Sequence, residues 1–111
     1  MTTESLDELM NRLREEYLAE IPGRLDEMRH AVVAFADGRE PEGPPLAMLF
    51  HRLAGSAGAY GFGDVSAICR ETEKWLGTNP DRTDEARAQI ERALAMIGES
   101  FRKGPTTEGI A

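Results

Sequence analysis

The chain has little cysteine, no long apolar run and fewer basic than acidic residues, and each shortage excludes a class of protein. Its single cysteine, Cys69, excludes an internal disulfide. No apolar run approaches the roughly 20 residues that a membrane-spanning helix needs. Residues 1–13 lack the basic start and apolar centre of an export signal. We therefore expect a cytoplasmic domain that does not insert into a membrane.

The charge balance and the length narrow the function further. Thirteen Lys and Arg residues stand against 20 Asp and Glu residues, which gives a net charge of −7. A nucleic-acid-binding surface needs the opposite balance, so we expect a protein partner and no nucleic acid. A chain of 111 residues suits one domain with one core, and it is too short for separate cofactor-binding and catalytic domains. We expect a module that is monomeric in isolation.

The residues between the Gly and Pro breaks are mostly alanine, leucine, glutamate and arginine, which favours an all-α fold. Apolar residues with spacings of three and four predict a first helix over roughly 4–21. Pro22 removes a backbone donor, so we expect a break there and a second helix that ends at Asp37 and Gly38. Residues 40–45 contain three prolines and one glycine and predict a loop.

The same spacing of apolar residues predicts three more helices. The pattern predicts a third helix over roughly 45–60, a turn at Phe62, a fourth helix from Asp64 to Leu76, and a last helix that starts after Asn79 or Thr83. Short connections favour antiparallel neighbours. We therefore expect an up-and-down antiparallel four-helix bundle over residues 1–103, with the additional N-terminal helix as a cap, followed by a flexible tail or linker over 104–111.

His51 lies on the third helix, outside its apolar stripe, and most of its helical neighbours are small. Glycine inside a helix costs roughly 0.8 to 1 kcal/mol relative to alanine, so Gly55 and Gly58 call for an explanation. One explanation is close approach by another molecule, and the other is tight packing between helices. The first predicts an exposed, reactive histidine. The docking residues expected around it are Met48, Arg52, Ala54, Gly55, Gly58 and Ala59.

The numbering of the predicted hairpin brings Glu73 to the level of His51. Each of the two residues lies about 11 positions, roughly 16 Å, from the turn at Phe62. A carboxylate that accepts a hydrogen bond from Nδ1–H would fix one tautomer of the ring and leave Nε2 free to attack. It would also stabilise the cationic ring that forms afterwards. Glu73 is thus predicted to orient His51 rather than to act as a base.

Residues 51–73, HRLAGSAGAYGFGDVSAICRETE, resemble the signature of the histidine-containing phosphotransfer (HPt) family. His51 stands in the place of the phosphorylated histidine, with Leu53, Gly55 and Gly61 at other family positions. Within the family, the run AYGFGDV and the acidic Glu73 are most similar to the N-terminal P1 domain of a CheA-type chemotaxis histidine kinase. Ala54 departs from the pattern because it stands where the family usually has lysine.

The resemblance implies a phosphocarrier of two-component signalling. His51 would accept a phosphoryl group from a histidine-kinase catalytic domain and pass it to the aspartate of a CheY-like response-regulator receiver domain, in chemotaxis. ATP and Mg²⁺ would belong to the kinase, and Mg²⁺ to the receiver. The chain has no P-loop and no kinase nucleotide site, so we expect no cofactor and no enzyme activity in this chain alone, although its parent would be a kinase.

Two alternatives remain open: a standalone HPt protein of a multistep phosphorelay, and a helical module that binds receivers without carrying phosphate. Loss of the usual lysine at Ala54 is expected to affect transfer rate or partner choice, with the partner supplying the missing charge. The side chain of Arg52, the residue after His51, points about 100° round the helix from His51 and so does not replace the missing lysine. His30 is interpreted as a surface residue and Cys69 as a packing residue. The histidines and Glu73 lack the compact spacing of a metal site, so no metal is expected.

Overall fold

The computed structural model describes residues 3–39 and 43–106, and within these ranges the chain forms four helices and no strand. Helix α1 spans Leu6–Ala36, α2 spans Leu46–Ala59, α3 spans Gly63–Leu76 and α4 spans Asp84–Lys103. Each helix runs antiparallel to the next one along the chain. Helices α1 and α3 each pack against both α2 and α4. The expected all-α antiparallel bundle is therefore confirmed.

Local sequence explains where two of the helices begin. The Ser5 hydroxyl accepts a hydrogen bond from the Glu8 amide at the start of α1, and the Thr83 hydroxyl accepts one from the Ala86 amide at the start of α4. Helix α4 also has acidic residues in its first turn and basic residues in its last, which complement the helix dipole. None of the described helices is both long and apolar enough to cross a membrane.

The expected break at Pro22 and the separate N-terminal helix are both wrong, because α1 continues through Pro22 as one helix of 31 residues. Five buried residues before and after the proline recur every three or four positions, and only a continuous helix keeps them on one face. Each such burial stabilises by roughly 1.5 to 3 kcal/mol, which together exceeds the penalty of about 3 kcal/mol for an internal proline. Pro22 itself is exposed. The buried residues are Tyr17, Ile21, Leu25, Met28 and Val32.

The turn between α2 and α3 has the hydrogen bonds of a Schellman motif. The Phe62 amide donates to the Ala57 carbonyl at 2.8 Å, and the Gly61 amide donates to the Gly58 carbonyl at 3.2 Å. Gly61 has a φ of 90°, which an L side chain rarely adopts. Phe62 is 1% exposed and anchors the turn in the core. This motif fixes the point about which the α2–α3 hairpin folds.

Aromatic residues join this turn to the two other helices. The Tyr60 ring stacks on Tyr17 of α1 with ring centroids 4.4 Å apart, and Phe62 meets Phe101 of α4 edge-on at 5.0 Å. Such pairs contribute roughly 0.5 to 1.5 kcal/mol beyond the area that they bury. The end of the hairpin is therefore held by both α1 and α4.

The residues just after α4 pack onto the same turn. The Thr106 amide donates to the Gly61 carbonyl at 2.9 Å, and the Thr106 hydroxyl accepts from the Asp64 amide at 3.1 Å. Helix α3 has no side-chain cap of its own at Phe62, so Thr106 satisfies one of its free amides. Thr106 thus belongs to the packed structure, although the sequence places it in the tail. Residues 107–111 of the expected tail and residues 40–42 of the expected loop lie outside the described residues.

We expect Pro22→Ala to raise the free energy of unfolding by about 1 to 3 kcal/mol, because it restores a helical hydrogen bond at an exposed position. Gly23→Ala is a useful companion, since an added Cβ meets no atom within 4 Å and the gain should be about 0.5 to 1 kcal/mol. Urea denaturation followed by circular dichroism measures both. A loss of stability in Pro22→Ala would contradict the continuous helix.

Candidate functional site

His51 and Glu73 meet on the surface of the α2–α3 hairpin. Nδ1 of His51 lies 2.9 Å from Oε2 of Glu73 and 3.2 Å from Oε1. The His51 side chain is 72% exposed and the Glu73 side chain is 35% exposed. The prediction that the two residues lie at the same height and share a hydrogen bond is confirmed geometrically.

The chemistry of the pair assigns the tautomer of the ring. An ionised carboxylate only accepts hydrogen bonds, so Nδ1 is the donor and carries the proton. Nε2 then holds the lone pair of the neutral ring. Within residues 3–39 and 43–106 no side chain or backbone group forms a hydrogen bond with Nε2 of His51. The arrangement therefore presents a nucleophilic nitrogen to the solvent.

The close packing of α2 against α3 explains why these two residues meet. A Cβ on Gly58 would lie 3.3 Å from the Ser66 hydroxyl oxygen, so the two helices approach closely at this point. His51 is seven residues from Gly58, and Glu73 is seven residues from Ser66. In two antiparallel helices, residues that lie the same number of positions from a shared contact are at the same height. The contact near the turn thus sets the contact at His51.

The structure explains the presence of glycine differently at positions 55 and 58 of α2. Gly58 is needed for packing, because a Cβ there would be unusually close to Ser66. Gly55 is exposed, and a Cβ there would meet no atom within 4 Å. Helix packing therefore explains Gly58 but leaves Gly55 unexplained. A bare backbone at Gly55 is consistent with close approach by a partner.

The structure places five of the six expected docking residues on the exposed surface of α2 and corrects the sixth. Ala54 is only 3% exposed, so its methyl group belongs to the core rather than to the docking surface. Helix α3 packs against α2 at this point, where the Ser66 hydroxyl donates to the Ala54 carbonyl at 2.9 Å. The five exposed residues are Met48, Arg52, Gly55, Gly58 and Ala59.

Helix α1 adds residues to this surface that the sequence did not reveal. Arg24 and Glu27 line a groove of about 260 Å³ together with Arg52. Arg24 also donates to the Ser56 hydroxyl at 3.3 Å and forms an ion pair with Glu20 at 3.1 Å. No local motif marks these residues, because they reach α2 only through the antiparallel pairing of α1 with α2.

The other candidate residues take no part in this site. His30 is exposed, and its Nδ1 lies 2.8 Å from the Asp26 carbonyl of its own helix. Cys69 is fully buried, and burial raises the pKa of its thiol to about 12, which keeps it protonated and unreactive. In the part of the chain that the structure describes, no three His, Cys, Asp or Glu side chains are grouped to hold a metal ion.

The different reasons for the two glycines give a matched pair of variants. Gly55→Ala should raise the free energy of unfolding by about 0.5 to 1 kcal/mol, because alanine favours the helix and meets no neighbour. Gly58→Ala should gain less or lose stability, since Ser66 must shift. Thermal and urea denaturation of both variants measure the difference. Equal gains in the two would contradict the close packing at Gly58.

Comparison with known proteins agrees with this geometry. A family model described as the Hpt domain matches residues 12–100, well over half of the chain, and the match includes both His51 and Glu73. No curated protein and no solved structure matches the chain. Hpt domains are phosphotransfer modules of two-component signalling that interact with kinases and response regulators and carry phosphate rather than catalyse reactions. The chain belongs to the Hpt domain family.

Proposed function

We propose that His51 is the phosphorylated residue of this Hpt domain. It accepts a phosphoryl group on Nε2 from a histidine-kinase catalytic domain and passes it to an aspartate of a response-regulator receiver domain. The observation that carries the proposal is the 2.9 Å hydrogen bond between His51 Nδ1 and Glu73, made by a ring that is 72% exposed. Nδ1 of His51 is occupied by the hydrogen bond to Glu73, and Nε2 is accessible.

In the loading step, the lone pair of His51 Nε2 attacks the γ-phosphorus of ATP held by the kinase. A P–N bond forms as the P–O bond to ADP breaks, and ADP leaves with that electron pair. The ring keeps its proton on Nδ1 and becomes a cation. In the transfer step, a carboxylate oxygen of the receiver aspartate attacks the same phosphorus. The P–N bond then breaks, and its electron pair returns to Nε2 as a lone pair.

Glu73 favours both steps without exchanging a proton. It holds Nδ1–H before loading, and its negative charge stabilises the cationic ring while the phosphoryl group is attached. Because Nδ1 stays protonated throughout, the ring is a good leaving group when the receiver attacks. Glu73 thus acts as a positioning and electrostatic residue.

The remaining chemistry is assigned to the partners. The chain needs no cofactor of its own in this scheme, since the kinase supplies ATP and Mg²⁺ and the receiver supplies Mg²⁺. Phosphoryl transfer depends mostly on positioning and charge neutralisation, and both partners contribute to these. A location in the cytoplasm, where ATP is available, fits this division of tasks.

The receiver is proposed to dock on the exposed face of α2 around His51. Gly55 offers bare backbone there, while Met48 is 44% exposed and supplies apolar surface. Arg52 at the edge can attract the acidic pocket of a receiver. A small, apolar centre with a charged edge is typical of a face that binds another helix.

The signalling pathway is proposed to be chemotaxis, with a CheA-type kinase as donor and a CheY-like receiver as acceptor. The run AYGFGDV and the acidic residue at Glu73 support this assignment through their resemblance to P1 domains. In this scheme the domain is a monomer and its parent is the kinase. A standalone Hpt protein of a phosphorelay would use the same site.

We expect the domain to acquire an acid-labile, base-stable phosphate when it is incubated with radiolabelled ATP and CheA-type kinase catalytic domains. His51→Gln should abolish this label, because glutamine lacks the nucleophilic nitrogen. His30→Gln is the matched control and should be labelled normally, since Nδ1 of His30 contacts the Asp26 carbonyl of its own helix rather than Glu73. Label that persists in His51→Gln would contradict the assignment.

We expect Glu73→Ala to slow phosphoryl transfer by about tenfold, which corresponds to roughly 1.4 kcal/mol, and to change the lifetime of the phosphohistidine. The reason is loss of the hydrogen bond and the negative charge beside the cationic ring. Rapid-quench measurement of transfer to a receiver gives the rate. Glu71→Ala, an exposed carboxylate on the same helix, is the control. Unchanged rate and lifetime in Glu73→Ala would contradict the role.

A further inference from the structure

The pairing of α2 with α3 places Arg70 level with Ala54, the position where the family usually has lysine. Contacts on either side fix this alignment: His51 meets Glu73, and Gly58 approaches Ser66. Counting three residues from the first pair toward the turn gives Ala54 on α2 and Arg70 on α3. The basic residue missing from one helix is therefore matched by a basic residue at the same height on the other.

Hydrogen bonds connect the two positions. The Ser66 hydroxyl donates to the Ala54 carbonyl at 2.9 Å, and Arg70 Nε donates to the same hydroxyl oxygen at 3.2 Å. Ser66 is 7% exposed, so packing holds its hydroxyl group in place between the two residues. Because the contact uses Nε, the two terminal nitrogens of the Arg70 guanidinium remain available for another ligand.

Arg70 also lies on the same side of α3 as Glu73. The two residues are three positions apart, which makes them neighbours on the helix surface, about 4.5 Å apart along the axis. Lys74 lies about 100° further round the helix from Glu73 and is exposed. Of these two cations on α3, Arg70 is the one placed beside the His51–Glu73 pair.

Two other cations lie near His51, but one is paired with a carboxylate and the other points in a different direction from the His51 side chain. Arg24 is paired with the Glu20 carboxylate at 3.1 Å, and Arg52 follows His51 at about 100° round α2. Arg70 has no carboxylate partner among the residues that the structure describes, and it is exposed. An exposed arginine without an ion pair loses little when it binds a new anion.

We propose that Arg70 supplies the positive charge that Ala54 does not, by binding oxygens of the phosphoryl group on His51 Nε2. This proposal rests on the proposed role of His51. A guanidinium presents paired N–H donors that match phosphate oxygens, so it can neutralise the group of roughly −2 charge as it moves between His51 and a partner. The atoms transferred are those of the steps above, and Arg70 gains and loses no proton.

The test uses the full chain and separates Arg70 from general charge effects. Arg70→Gln, Arg70→Lys and Lys74→Gln are loaded chemically with phosphoramidate, which avoids any kinase-docking effect, and transfer to a purified receiver domain is followed by rapid quench. Circular dichroism checks that the variants keep the wild-type helix content. We expect Arg70→Gln to transfer about tenfold more slowly with a weaker dependence on salt, Arg70→Lys to recover much of the rate, and Lys74→Gln to stay within twofold of wild type.

The outcomes distinguish this proposal from the one on which it rests. If wild type takes up no phosphate on His51, both proposals are wrong. If wild type transfers and Arg70→Gln transfers equally fast, the role of Arg70 alone is wrong, and the partner supplies the compensating charge. An equal loss in Arg70→Gln and Lys74→Gln would also overturn it, because the effect would then come from net charge.

Discussion

The close antiparallel packing of α2 against α3 is the constraint on which the site depends. The Schellman motif at Gly61 and Phe62 fixes where the chain reverses, and Gly58 lets the backbone of α2 come close to Ser66 of α3. Because the two helices are antiparallel, equal numbers of residues from that contact lead to residues at the same height. The contact therefore determines which residues of α2 and α3 face each other. The hydrogen bond between His51 and Glu73 is one such pair. A shift of one residue in this register would separate them.

The same packing explains how a histidine on the surface is held in one neutral tautomer. An isolated exposed histidine exchanges freely between its two neutral tautomers. Here a carboxylate from the neighbouring helix accepts a hydrogen bond from Nδ1–H at 2.9 Å, so the lone pair of the neutral ring lies on Nε2. The bundle supplies rigidity, and the ring remains 72% exposed for partners. Positioning and access, which usually conflict, are thereby combined.

The parts of this structure that the sequence predicts are those governed by local periodicity. The apolar stripes closely predict α2, α3 and α4, and the equal distances from Phe62 to His51 and to Glu73 predict that these two residues meet. The sequence predicts a break at Pro22 that the structure does not have, because the local penalty of the proline is outweighed by burial of residues such as Ile21 and Leu25. That gain depends on α2 and α4, which a local pattern does not contain.

The parts of the site that the sequence missed depend on pairing between helices. Ala54 sits one turn from His51, yet α3 covers it, so it is core rather than docking surface. Arg24 reaches the edge of the site from α1, and Thr106 caps α3 from beyond α4. None of these has a motif. The position of Arg70 opposite Ala54 likewise follows only from the register of α2 against α3.

Nitrogen-15 NMR of the unphosphorylated domain tests the central claim most directly. Long-range proton–nitrogen correlations distinguish a protonated ring nitrogen from one that carries a lone pair. The structure predicts that the neutral His51 ring is protonated on Nδ1, with the lone pair on Nε2, and that Glu73→Ala removes this preference. A spectrum in which His51 is protonated on Nε2, or is unchanged by Glu73→Ala, would contradict the account.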